Sequence, residues 1–294
     1  MDAPLTLLVV GGHPADVFDH CGGTLAHHAR RGDRVVCLAL THGTRVHDRV
    51  ISEELRLQQE SPEPERLQRL IEERAQVKHA EVVKACGLLG IREVRFLDCD
   101  DDVLLVTQEL VAALARLVRQ VRPDIVVTHY PLEGAGIGSH HAETGKLVLH
   151  ALSSAANVSP GDPHPGHRIA QLFFMSPEPA TFVSSYLAGQ ATAFCDTYVD
   201  VTDVAELKVR ALACMGSQQY GADYARKAVE AVSGKDGLYM RVPYAEGFIR
   251  NYPEIGEHLP VSRQRLARAN EPESAMHART DVLIAPFVRL ADEG

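Results

Sequence analysis

Apolar residues in the first half of this chain fall into short solid runs separated by longer stretches with helical spacing. Residues 5–10, 34–40, 93–97 and 124–128 read as strands, the last of them apolar on both faces. Between them come a helix through Leu25 and Arg30 that stops at Gly32, and a long helix over 65–89 stopped at Gly90. A third carries the stripe Leu110, Val111, Leu114, Leu117, Val118 and Val121, broken by Pro123. Strands without a polar face, alternating with helices, predict a mainly parallel sheet with helices on both faces, the doubly wound α/β class. Residues 169–175 and 197–201 look like further strands, and 204–232 looks mostly helical.

Two segments interrupt the alternation. Residues 43–64 form a polar, proline-containing connection longer than most strand–helix loops, and such loops often carry function. Residues 159–167 form a turn-rich loop. The tail begins polar and ends on Val282-Leu283-Ile284-Ala285-Pro286-Phe287, a patch that must bury itself on its own core or on a neighbouring subunit. The expected organisation is therefore one α/β domain over 1–258 and a C-terminal extension over 259–294. With 294 residues the chain is long enough for a substantial core, and its 45% hydrophobic and 23% charged content is ordinary for a globular protein. A net charge of −9 argues against a nucleic-acid partner, which needs clustered Lys and Arg. Six cysteines without a C-x-x-C pair suggest buried thiols in a reducing compartment. No apolar run approaches the roughly 20 residues that span a bilayer, so no membrane partner is expected and the cytoplasm is the expected location.

The chemistry gathers at two strand tips. After the first strand come Gly11 and Gly12, then His13-Pro14-Ala15-Asp16, which places an imidazole and a carboxylate three residues apart where open α/β sheets hold their ligands. These are two of the three protein ligands that a catalytic zinc usually has. After the fourth strand come Thr128-His129-Tyr130-Pro131, a glycine-rich turn, and Ser139-His140-His141-Ala142-Glu143 opening a helix. Strands one and four can be neighbours at the topological switch point, and His141 is then the candidate third ligand. Most of the 15 histidines need no such role. Two polar clusters at strand tips of one sheet single out His13, Asp16 and His141.

These motifs, with Gly22-Gly23-Thr24, Ala85, Leu89-Gly90 and Thr128-His129, resemble the PIG-L/LmbE-like zinc proteins, mostly N-deacetylases on a Rossmann-like sheet. The resemblance spans about residues 5–250 and implies that His13, Asp16 and His141 bind Zn2+, although this ligand set admits other divalent metals. The family's first motif is usually His-Pro-Asp-Asp, with its middle aspartate as general base. Here that position is Ala15, and a methyl group takes no proton. Gly138 stands where the first histidine of the later motif is usual, Gly43-Thr44 replaces a Gly-Glu, and Met215-Gly216-Ser217-Gln218 replaces a His-x-Ser-Gln.

One branch of the family, the 4-oxalomesaconate hydratases of aromatic catabolism, resembles this chain in a His-x-Ala-Asp motif, in Cys214-Met215 with Gln218, and in Tyr244-Ala245-Glu246-Gly247 followed by Pro253. The expectation is a metal-dependent hydratase of a small unsaturated keto polycarboxylate, the alternative being a zinc deacetylase or amidase with a relocated base. Candidates for proton transfer are His42, His140, Glu246 and Tyr220, with His47, Asp48 and Tyr224 nearby in sequence. Arg45 and Arg241 could grip substrate carboxylates by forked hydrogen bonds, with Tyr244 beside them. The expected partner is a small-molecule carboxylate, and the resemblance implies a homo-oligomer.

Overall fold

The computed structural model describes residues 3–55, 63–133, 139–177 and 195–284. A seven-stranded sheet runs in the order β3-β2-β1-β4-β5-β7-β6. Its strands are β1 (Thr6–Gly11), β2 (Arg34–Thr41), β3 (Glu93–Cys99), β4 (Ile125–Thr128), β5 (Gln171–Met175), β6 (Thr197–Asp200) and β7 (Ala245–Arg250). The first five are parallel; β7 runs antiparallel to β5, and β6 antiparallel to β7. This is the doubly wound α/β class, with a mixed edge added to the expected parallel sheet.

The pleat of β1 sorts the core. Val9 joins one apolar cluster with Phe18 and Leu25 of α1 (Asp16–Arg31); Leu8 and Val10 join the other, with Leu114 and Leu147. In sequence order the helices that follow are α2 (Thr44–His47), α3 (Pro64–Leu88), α4 (Gln108–Val121), α5 (His140–Ala155) and α6 (Ala205–Leu212). Then come α7 (Ala222–Val229), α8 (Lys235–Met240), α9 (Arg263–Arg268) and α10 (Glu273–Thr280). Val82, Ala85 and Cys86 of α3 and Val209 of α6 share the face of α1, whereas α4 and α5 cover the other. The chain moves outward from β1 through β2 to β3, then returns to β4 on the opposite side of β1. That reversal opens a crevice at the carboxyl ends of β1 and β4.

Several sequence expectations change. Residues 204–232 are not one helix: α6 ends at Leu212, and α7 begins only at Ala222. Strand β7 went unanticipated, because Glu246 and Gly247 interrupt its apolar pattern. Part of the connection after β2 is ordered as α2 and a wide turn, Arg49–Leu55. The tail returns to its own domain as far as it is described. Ile284 is buried in the α1-side core and its N–H donates to the Tyr244 hydroxyl at 2.8 Å, while Arg279 Nε donates to the Arg241 carbonyl at 2.9 Å. Ala285-Pro286-Phe287, and Gly138 with the glycine-rich turn before it, lie outside the described residues. All six cysteines are free thiols, three of them (Cys21, Cys37 and Cys86) buried. No described helix is long and apolar enough to cross a membrane.

A kink in α1 anchors the mixed edge. Cys21 leaves helical geometry (φ −141°, ψ 17°), which frees backbone donors one turn above the crevice. Glu246 of β7 accepts from the N–H groups of Gly23 (2.9 Å) and Thr24 (2.7 Å), and Lys208 of α6 reaches the same carboxylate at 2.8 Å. Both charged side chains are only 1% exposed, so each depends on the other for neutralisation. Removing one partner strands a buried charge, at a cost of about 3–5 kcal/mol. Lys208→Met should therefore lower unfolding stability by about that amount in denaturant titration; a loss under about 1 kcal/mol would show that the pair does not hold the kink.

Candidate metal centre

The tips of β1, β2 and β4 are locked before any functional side chain is placed. The Gly12 carbonyl accepts from Thr41 N (2.9 Å) and from its hydroxyl (2.8 Å), tying the end of β1 to β2. The chain after β2 passes flush against Pro14: Gly43 has φ +64°, and a Cβ there would lie 2.6 Å from Pro14 Cδ. On the other side α5 lies against the end of β4, since a Cβ on Gly145 would meet the His129 carbonyl at 2.5 Å. Ser139 caps α5 through the Ala142 N–H, which sets His140 and His141 in its first turn.

These constraints converge three histidines on one carboxylate and pack two more against them. Asp16 Oδ2 accepts from the His13 N–H at 2.7 Å and from His129 Nε2 at 2.9 Å. His13 Nδ1 lies 3.4 Å from the same oxygen and His141 Nε2 lies 3.5 Å away. The His129 and His141 rings stack at 4.0 Å, and His20, one helical turn beyond Asp16, meets both edge-on. His141 Nδ1 faces Glu133 Oε1 at 2.7 Å, and His13 Nε2 faces His140 Nδ1 at 2.9 Å. His140 also hydrogen-bonds the Asp102 backbone. A His140 that accepts from His13 Nε2 is the arrangement that leaves His13 Nδ1 with a bare lone pair.

The electrostatics follow from burial set against pairing. Burial works to raise the Asp16 pKa, but His141 and His13 beside it, with hydrogen bonds from His129 and His13, hold it well below the usual carboxylate range. Burial pulls His141 down, yet Asp16 and Glu133 on its two sides lift it to about 11. His129 goes the other way, to about 4, because it is buried and faces His141. His47, buried against His13 with ring centroids 4.5 Å apart, also falls to about 4.

His13, Asp16 and His141 fit a divalent metal on two observations. His13 Nδ1 is a buried nitrogen without a hydrogen-bond partner, which is costly unless something else binds it. The 3.4 and 3.5 Å separations also match the edge of about 3.3 Å in a tetrahedron with bonds of about 2.0–2.1 Å. His140 and Glu133 stand behind two of these ligands as orienting partners. A neighbouring group, His42 with Asp100 and Asp101, has its carboxylates occupied. Asp101 accepts from the N–H groups of Arg45 and Val46, and Asp100 from Asp102 N and Arg45.

The remaining expected residues scatter. His42 pairs with Asp101 at 3.0 Å, and the Arg45 side chain is held by Asp100 at 2.9 Å. Asp48 is buried against Arg74. Tyr220 stacks on Tyr224, and burial and Tyr224, with the charges of Asp19 and Asp16, push its hydroxyl pKa up. Glu246 is occupied by the α1 kink. The Tyr244 hydroxyl is held between Glu230 (2.8 Å) and the Ile284 N–H. Arg241 lines a separate cavity of about 820 Å³ beside β6, with Arg250, Arg265 and Arg268. Sequence reasoning missed His129, His20, Glu133 and Asp19. His129 directly follows an apolar strand, and that position was the available signal. Asp19 Oδ1 is buried without a partner among the described residues. Ala15 is 3% exposed and packs in the core.

Residues 8–152 match the family model described as PIG-L: GlcNAc-PI de-N-acetylase. A 4-oxalmesaconate hydratase of Pseudomonas putida KT2440 is 26% identical over 86% of this chain and 91% of its own. A diacetylchitobiose deacetylase of Thermococcus kodakarensis is 27% identical over 72% of this chain and 69% of its own. The crystal structure of GalB, the 4-carboxy-2-hydroxymuconate hydratase from Pseudomonas putida KT2440, superposes with a TM-score of 0.68 at 22% identity. The match covers 87% of this chain and all of that one (100%) and shows a shared fold.

With its pKa near 11, His141 is protonated at neutral pH when no metal is bound, and a metal must displace that proton. Uptake at pH 7–8 should release at least about one proton per metal, with affinity rising as pH increases. Calorimetry in buffers of different ionisation enthalpy measures this release. Uptake without proton release would mean that His141 is not a ligand.

Proposed function

The chain carries a PIG-L family domain over residues 8–152, and from that premise we propose a metal-dependent hydratase that adds water across the double bond of a small unsaturated keto polycarboxylate resembling 4-oxalomesaconate. One observation carries the reading: the ligand trio His13, Asp16 and His141 is complete while residue 15 is a buried methyl. A deacetylase of the usual family pattern needs a carboxylate base there. The 26% identity with a hydratase over 86% of this chain supports the same choice.

In this proposal zinc held by His13, Asp16 and His141 supplies a Lewis acid for the keto or carboxylate oxygens of the substrate. The protein holds the ligands still: Glu133 orients His141, His140 fixes the His13 tautomer, and the His129 N–H holds Asp16. Hydration forms a C–O bond at one alkene carbon and a C–H bond at its neighbour, so a group must take one proton from water and another must deliver one. Asp19 is the proposed acceptor. It lies four residues after Ala15, on the same face of α1, with an unpartnered buried oxygen. Tyr220, which feels the charges of Asp19 and Asp16, is the proposed donor. Asp19 also supports a second reading, amide hydrolysis with the base moved one turn along the helix, as does the 27% identity with a deacetylase.

The two readings separate on substrate. Zinc-loaded protein should bleach the near-ultraviolet absorbance of a conjugated keto diacid and release no acetate from N-acetyl sugars. Acetate release with the keto diacid untouched would replace the hydratase reading with the second one. Under either chemistry Asp19→Asn should lower kcat by roughly 10²- to 10⁴-fold with metal content unchanged. A rate within about threefold of the parent would take the proton-accepting role away from Asp19.

A further inference from the structure

The β6 edge of the sheet holds a cavity that the metal centre does not use. It encloses about 820 Å³, a size that accommodates a small organic molecule. Strand β6, the turn after α8 and the end of β7 form one wall; α9 and the residues behind it, from the tail, form the other. Each wall supplies two arginines: Arg241 and Arg250 from the sheet side, Arg265 and Arg268 from the tail.

We propose that this cavity binds a small organic molecule carrying two or more anionic groups, which would join the tail to the edge of the sheet. Four guanidiniums around one space repel one another unless anions lie among them. Three carboxylates line the same cavity, and each already has partners. Glu271 forks onto Arg279, which lies outside the lining, at 2.5 and 2.6 Å. Asp200 Oδ1 accepts from Thr202 N (3.2 Å) and its hydroxyl (2.7 Å), while Oδ2 accepts from Gln264 at 3.2 Å and faces Arg268 at 3.8 Å. Asp196 Oδ1 accepts from the Thr197 hydroxyl (2.9 Å) and from Arg250 N (3.1 Å). The Arg241 and Arg265 guanidiniums are left with no hydrogen bond or ion pair among the described residues, Arg241 feeling the Glu271 charge only at longer range. Arg250 is met only in part. It donates to the neutral Thr197 hydroxyl at 3.1 Å, stands 3.7 Å from Glu254, and keeps a buried Nε without a partner. The turn after α8 does not call for the Arg241 side chain either, since its φ of 60° favours glycine. Met240 and Tyr239, the latter 72% exposed, offer apolar surface to the body of the ligand, which a bare inorganic ion would leave unused.

Fructose 1,6-bisphosphate and tricarballylate serve as the phosphate and the carboxylate probe, measured by calorimetry on the zinc-loaded full chain. At least one should bind as a single molecule per chain, and the tighter of the two identifies the kind of anion. Arg241→Gln and Arg265→Gln should each weaken binding about tenfold, and Arg265→Lys should recover part of the loss. The double Gln variant should bind neither probe. Because a metal also attracts anions, the titration is repeated on zinc-free protein, where affinity should stay within about threefold. Amide hydrogen exchange in α9 should slow when the probe is bound. Failure of both probes, parent-like affinity in the double variant, loss of binding with the zinc, or unchanged exchange in α9 would each overturn the site.

Discussion

A carboxylate taken out of water at the end of β1 governs this structure. Asp16 is 8% exposed, and an unpaired anion at such depth costs several kcal/mol. The chain meets that cost by directing every nearby element at one oxygen: the β1–α1 turn through the His13 N–H, β4 through His129, and α5 through His141. Glu133 adds a second negative charge behind His141, and one proton on that imidazole partly balances the pair. The metal-free arrangement thus holds a proton where a divalent cation fits. Exchange of the proton for the cation would leave the two carboxylates balanced by a dication, with the imidazoles of His13 and His141 neutral. The charge that must be buried to fold the crevice is therefore the same charge that a divalent cation would balance.

Asp16 also needs a rigid helix beneath it, and the mixed edge of the sheet supplies that support. A parallel sheet alone would leave α1 held by apolar packing over its length. Strand β7 adds the Glu246 carboxylate, which bonds two backbone N–H groups that the Cys21 kink releases, and Lys208 of α6 completes the contact. The tail closes over the same region, with the Ile284 N–H on the Tyr244 hydroxyl two residues before Glu246. Glu246 thus supports the helix that carries Asp16, and Tyr244 ties the tail to the same strand.

The parts legible in the sequence are those fixed by local order. Apolar runs ending at glycine, proline or histidine mark strand tips, and His13, Asp16 and His141 follow from two such tips meeting at the switch point. Partner choice across the fold is a different matter. Arg45 and Glu246 look like free charges in a local window, and only packing reveals Asp100 on one and Lys208 on the other. Strand β7 was hidden for the same reason: a buried glutamate reads as a loop residue until its cation is known. His129 was visible as a strand-tip histidine, but its role depends on a carboxylate 113 residues earlier in the chain.

Two positions where the resemblance leads one to expect a polar side chain are apolar here. Ala15 replaces the usual middle aspartate and Met215 the usual histidine, and both side chains are buried in the same α1-side core. Packed in that core, neither side chain offers an acid or a base to the crevice. The ligand cluster meanwhile keeps its full set of orienting partners, which cost side-chain freedom and desolvation to maintain. A complete candidate ligand set beside a buried methyl at residue 15 is the arrangement from which the hydratase proposal starts. In that proposal Asp19 and Tyr220 carry the proton transfers, and the choice of bond rests with them.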